Sequence, residues 1–92
     1  MMQTYVTFAD GTQVVFSRII MEKGQKTVFV HFERPTTDGF DSARISLPTY
    51  RWITKDGFTD EEIEHYQKFA ERHAHHFFYY AENGGWTIAN AV

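Results

Sequence analysis

Four of the five histidines in this chain, His65, His73, His75 and His76, fall within twelve residues. Imidazole is at once a metal ligand, a general base near neutral pH and a proton-sensing group. Spacing decides which of these uses is open. His65 and His76 share a helix face, but eleven residues at ~1.5 Å each set them roughly 16 Å apart, too far to hold one ion. His75 points away from His73. The position four beyond His65 is Phe69, so the helical zinc motif with a second histidine at that spacing is absent. His73 and His76 remain as an i,i+3 pair and are weak metal candidates, because two ligands fall short of a site and Tyr80 would be a poor third. No metal and no cofactor are therefore expected. The same groups could sense pH from the last turns of a helix, where the dipole favours imidazolium while their mutual repulsion and the burial of His73 oppose it.

Other catalytic chemistry finds less support. Ser17, Ser42 and Ser46 lie in strand-like runs with no nucleophile elbow around them. Glu33 and Asp41 could meet across two strands, but acids flanking a turn are ordinarily solvated ends. Gly24-Gln25-Lys26-Thr27 lacks the upstream glycine and the following helix of a phosphate-binding loop. The chain has no cysteine, which removes thiolate catalysis, disulfides and cysteine zinc sites and suits a reducing cytoplasm. An enzyme built on His31 or His73 with a neighbouring carboxylate ranks third among the readings; the expectation is a non-enzyme.

These residues are positioned by a short list of elements. Residues 3–9 read as a strand, and Asp10-Gly11 is a hairpin signal. A second strand runs from Thr12 to Glu22 and closes at Glu22-Lys23-Gly24-Gln25. The third, Lys26 to Arg34, alternates Val28, Val30 and Phe32 against Thr27, Phe29, His31 and Glu33. Pro35 to Gly39 breaks the run, Asp41 to Leu47 is a fourth strand, and Pro48 ends it. Residues 47–53 read as either a helical turn or an irregular aromatic crossover. Thr59 and Glu62 then have capping-box spacing, with Phe58 and Ile63 placed as a hydrophobic staple. Ile63, Tyr66, Ala70, His73, Ala74, Phe77 and Ala81 form one apolar stripe, and Asn83-Gly84-Gly85 supplies a left-handed stop. Trp86 to Val92 could dock as a short extra strand or remain a tail. The expected fold is one α+β domain over residues 1–92, a four-stranded antiparallel meander with one long C-terminal helix on one face.

A 92-residue chain with 16 aromatic residues can fill one modest core. Its net charge of −3 argues against a broad grip on nucleic acid. A local basic strip of Arg18, Arg34 and Arg44 would need their strands to be neighbours. No segment has membrane-spanning length and no basic leader stands at Met1-Met2-Gln3-Thr4-Tyr5, so the expectation is a soluble, unprocessed protein of the cytoplasm.

The stronger functional signal is apolar surplus. If the helix covers Val14, Phe16 and Ile20, the other sheet face shows Tyr5, Val15, Ile19, Met21, Phe29 and His31 together. Such a patch fits a protein interface, most simply a homodimer made by packing two sheets. A tail folded over it, or a bulge that buries both sets, would remove the patch. A phage or mobile-element accessory protein that occludes a larger protein partner is the nearest rival. Base stacking on Tyr5, Phe29 and His31 beside Arg18 or Arg44 is a minor alternative.

Three phrases, Gly39-Phe40-Asp41-Ser42, Leu47-Pro48-Thr49-Tyr50 and Gly57-Phe58-Thr59-Asp60-Glu61-Glu62, resemble small bacterial proteins of unknown function over residues 30–85. They consist mostly of turn and capping chemistry. The resemblance implies a bacterial leaning and no activity.

Overall fold

The computed structural model describes residues 2–83. Its elements are β1 (Gln3–Thr7), β2 (Gln13–Phe16), β3 (Ile20–Glu22), β4 (Gln25–Thr36), β5 (Gly39–Leu47), β6 (Arg51–Asp56) and α1 (Asp60–Glu82). All pairings are antiparallel in the order β1-β2-β4-β5-β6, with β3 pairing on β4 beyond the end of β2. The helix covers one face. The expected class, an α+β layer of meander and C-terminal helix, is what forms, but with six strands rather than four.

Both extra strands have local causes. The expected second strand is split because its register on β4 slips: Phe16 pairs with Val30 while Ile20 pairs with Thr27, so four steps on one side span three on the other. This is a β-bulge, and it reverses which face each later side chain takes. Ser17 makes the slip tolerable. Its N–H donates to the Phe29 carbonyl (2.9 Å), and its Oγ accepts from the Phe29 N–H (2.9 Å) while donating to the Arg18 carbonyl (2.8 Å). The segment read as a helical turn or crossover opens with a turn at Pro48, Thr49 and Tyr50, closed by the Tyr50 N–H donating to Ser46 O (2.8 Å), and its last three residues begin the unexpected strand β6. β4 also runs past Pro35 to Thr36. β2 pairs only as far as Glu33, so no ladder bond is lost on that side where proline lacks a donor. The extra strand expected of residues 86–92 lies outside the described residues.

The core is the helix-facing side of the sheet, with Val14, Phe16, Val28, Val30, Phe32, Ala43, Ile45 and Leu47 buried against Ile63, Tyr66, Ala70 and Phe77 of α1. Alternation on β4 and the helical stripe therefore meet as the sequence patterns require. His73, Ala74 and Ala81 are half-buried at the margin of the stripe. Phe32 and Tyr66 stack with ring centres 4.4 Å apart, one of the contacts that dock helix on sheet.

The ends of α1 are fixed unequally. Thr59 is the N-cap of a complete capping box, in which the Glu62 N–H donates to Thr59 Oγ1 (3.1 Å) and the Thr59 N–H donates to Glu62 Oε1 (2.9 Å). Glu62 also binds Arg34, whose guanidinium reaches Asp41 Oδ2 (2.8 Å) and the Gly57 carbonyl (3.2 Å) and lies 4.5 Å over the Phe58 ring. Arg34 thus ties the helix start to the β4–β5 hairpin. At the other end Asn83 has φ −101° and its side-chain amide donates to the Tyr79 carbonyl (2.7 Å), while Gly84 and Gly85 of the expected left-handed stop lie outside the described residues.

Candidate functional site

The sheet face turned away from α1 is built in rows. Thr4, Val15, His31, Arg44 and Thr54 lie side by side across five strands. One step toward the β3–β4 turn come Ser17, Phe29, Ser46 and Arg51; one step the other way come Gln13, Glu33, Ser42 and Asp56. Ile20 beside Thr27 and Phe40 beside Pro35 mark the two ends.

Much of this face is withdrawn from solvent: Val15 is only 8% exposed, and Phe29 is half-buried with the Arg44 guanidinium 6.0 Å from its ring centre. His31 is packed among these neighbours. Burial first, and the Arg44 charge second, push its pKa down to about 4, so the imidazole is neutral at pH 7. Exposed apolar surface survives at the ends, where Ile20 is 40% and Phe40 71% exposed. At the β3–β4 turn end a cleft of about 290 Å³ opens between Glu22, Lys23, Gln25, Thr27, Ser46, Thr49 and Arg51.

Of the six residues expected to form the patch, the structure brings Val15, Phe29 and His31 together and sends Tyr5, Ile19 and Met21 elsewhere. Each departure follows from a bulge. In β1, Thr4 pairs with Val15 and Val6 with Val14, so Tyr5 is the extra residue and its ring turns under the helix, 4.6 Å from that of Phe77. Past the Ser17 slip the parity reverses. Ile19 packs against the core, Ile20 takes the open face opposite Thr27, and Met21 joins Lys26 on the helix side. Glu33 lies on this face as the β4 alternation requires and Arg44 lies beside Phe29 and His31 as the base-stacking alternative placed it, whereas Arg51 and Asp56 were not expected there. The basic strip does not form, because Arg34 faces the helix and Arg44 the open side.

A second cluster lies where β1 meets α1. The Tyr5 hydroxyl is 2.9 Å from His73 Nδ1 and also 2.9 Å from His76 Nδ1. The Tyr5 ring makes edge contacts with Phe16 and Phe69, and His73 lies on Phe69 with ring centres 4.3 Å apart. Burial, then the charges of His76, Arg72 and His75, lowers the His73 pKa and keeps the ring neutral; burial raises that of Tyr5. The His75 ring centre lies 4.1 Å from that of His76, but among the described residues only His73 and His76 bond the Tyr5 hydroxyl. Among the described residues no three His, Asp or Glu side chains converge to hold a metal, and no helix is long and apolar enough to cross a membrane.

Comparison of the chain with protein-family models, with curated proteins and with solved structures finds no match in any of the three.

Proposed function

We propose that the protein is a non-enzymatic interaction module that self-associates, two copies packing their open sheet faces together. The observation that carries this reading is the lengthwise polarity of the face. Glu33 and Asp56 lie in one row, and Arg44 and Arg51 follow in the next two, with Lys23 and Glu22 at the turn beyond. A twofold axis in the plane of the sheet and perpendicular to the strands turns each copy end for end. That operation lays Asp56 of one copy over Arg51 of its partner, twice per dimer. It also carries the exposed Phe40 of each copy toward the cleft of the other. Val15, His31 and Arg44, at the level of the axis, meet their own copies, while Phe29 is laid over Glu33 of the other copy.

The size is adequate for reversible pairing. Five strands at ~4.8 Å and about 26 Å between the Ile20 and Phe40 ends give a footprint of roughly 600 Å² per copy, toward the low end of specific interfaces. Sedimentation velocity across a concentration series is the test. The wild type should dimerise, more weakly at high salt, and Ile20→Glu should be monomeric and folded. Arg51→Asp alone should weaken the dimer, and adding Asp56→Arg should restore it. A strict monomer at the highest concentration would overturn the reading and transfer the face to a different protein partner.

A further inference from the structure

The geometry points to a binding site for a divalent late transition metal ion, held by Tyr5, His73 and His76. The two histidines fall short of a site by themselves, but the bulge in β1 delivers a third donor from another element. Both Nδ1 atoms lie at the same 2.9 Å from the phenol oxygen, so one oxygen and two ring nitrogens from two elements are gathered in one hydrogen-bonded cluster. A phenol carries one proton and can donate to only one imidazole; the second must present its own N–H to the oxygen. A metal ion would replace both hydrogen bonds. The phenol O–H breaks and its proton leaves to solvent, the imidazole that had presented Nδ1–H shifts that proton to Nε2 through solvent, and the oxygen and two Nδ1 atoms each give a lone pair to the metal.

The rearrangement needed is small. Bonds of about 2.0 Å in tetrahedral geometry place ligand atoms roughly 3.3 Å apart, so each oxygen–nitrogen pair opens by about 0.4 Å while the two imidazoles, with ring centres 5.9 Å apart, turn their Nδ1 atoms toward the ion. The side chains that must move are held by packing. Tyr5 lies against Phe16, Phe69 and Phe77, and His73 against Phe69, which leaves the rings little freedom other than the one required. The donors suit the ion: two imidazoles and a phenolate favour copper(II) or zinc over magnesium or calcium. His76 is exposed, so the remaining position faces solvent and would hold water. Arg72 beside the site opposes binding, and the lone phenolate offsets only one of the two added charges.

Titration of the tag-free chain with copper(II), followed by absorption spectroscopy, electron paramagnetic resonance and calorimetry against a weak chelator, decides the matter. The wild type should bind one equivalent with a phenolate-to-copper charge-transfer band and two-nitrogen coupling. Tyr5→Phe keeps the ring and its packing, so it should fold normally, lose the band and bind at least about tenfold more weakly, since losing even a supporting contact costs metal sites about that much. His73→Gln and His76→Gln should each remove one nitrogen coupling. His75→Gln should change nothing. The assignment is overturned if the wild type shows no stoichiometric binding, if Tyr5→Phe binds with unchanged affinity and spectrum, or if His75→Gln removes the binding that Tyr5→Phe retains.

Discussion

His31 should make the protein lose stability in mild acid, by an amount that can be separated from every other titrating group. The imidazole has an ordinary pKa of 6.5 and is pushed down to about 4 in the folded chain, burial being the larger cause and the Arg44 guanidinium the smaller. Between these values the unfolded chain binds a proton that the folded chain does not. Stability therefore rises with pH across this window, is complete above 6.5, falls as pH drops toward 4, and loses nothing further from this group below that. A shift of this size has a ceiling of about 3 kcal/mol at 1.36 kcal/mol per unit; partial solvent access brings the expected loss to about 1–2 kcal/mol.

The assay is urea unfolding from about pH 7.5 to about pH 4.5 for wild type and His31→Gln, each in the Ile20→Glu background so that association does not add to the signal. Carboxylates confound the absolute curves. Asp10 and Glu62 have lowered pKa values through their hydrogen bonds to the Thr12 and Thr59 backbone, so they also withdraw stability in acid. They do so equally in both proteins, and the difference between the curves isolates His31. Wild type should fall below the variant by about 1–2 kcal/mol more at the acid end than at the neutral end, which is roughly 5–15 °C in Tm for a domain of this size. Parallel curves, or an NMR titration placing His31 near 6.5, would refute the reasoning that the open face desolvates it.

Three further outcomes follow from the packing. Ile19→Glu should destabilise the monomer by more than about 2 kcal/mol because its side chain packs against the core, whereas Ile20→Glu should cost within about 0.5 kcal/mol, a contrast in chemical denaturation that reports the bulge directly. Arg34→Met should cost about 2–3 kcal/mol, since Asp41 and Glu62 are left facing each other's vicinity without their shared cation, and the loss should diminish in acid as the carboxylates protonate. Gly57→Ala should cost at least about 2 kcal/mol in thermal melts, because φ is +90° and a Cβ there would stand 2.1 Å from Asp41 Oδ1, in the Arg34 junction itself.

What was legible in the sequence is what rests on local, periodic chemistry. The Thr59–Glu62 box, the apolar stripe of α1 and the alternation of Val28, Val30 and Phe32 each answer to a rule that needs no knowledge of distant residues. β6 was missed because Pro48 and Tyr50 signal a break, and the strand that resumes at Arg51 has little period-two pattern: Ile53 is itself an extra residue, Arg44 pairing with Thr54 and Ile45 with Trp52. The faces of Tyr5, Ile19 and Met21 were beyond reach for the same reason. A bulge is a decision made between two strands, and nothing in residues 12–22 taken alone distinguishes an uninterrupted strand from one that slips by a residue on β4.

Those slips also account for where the chemistry lies. An unbulged second strand would turn Ile19 and Met21 outward into one apolar face, a standing aggregation hazard for a small domain. The Ser17 bulge returns Ile19 to the core and leaves an outer face of alternating Val15, Phe29, His31 and Arg44, apolar enough to exclude water from the imidazole and charged enough to be specific about what it pairs with. The β1 bulge does the complementary thing on the other side, taking Tyr5 out of that face and setting its hydroxyl between His73 and His76. Deleting Thr4, which would pair Tyr5 with Val15, would therefore abolish the three-donor cluster while adding an aromatic ring to the open face. The two surfaces are coupled through backbone register. If that is right, such a deletion should weaken copper(II) binding and strengthen self-association in the same protein, whereas Tyr5→Phe should do only the first.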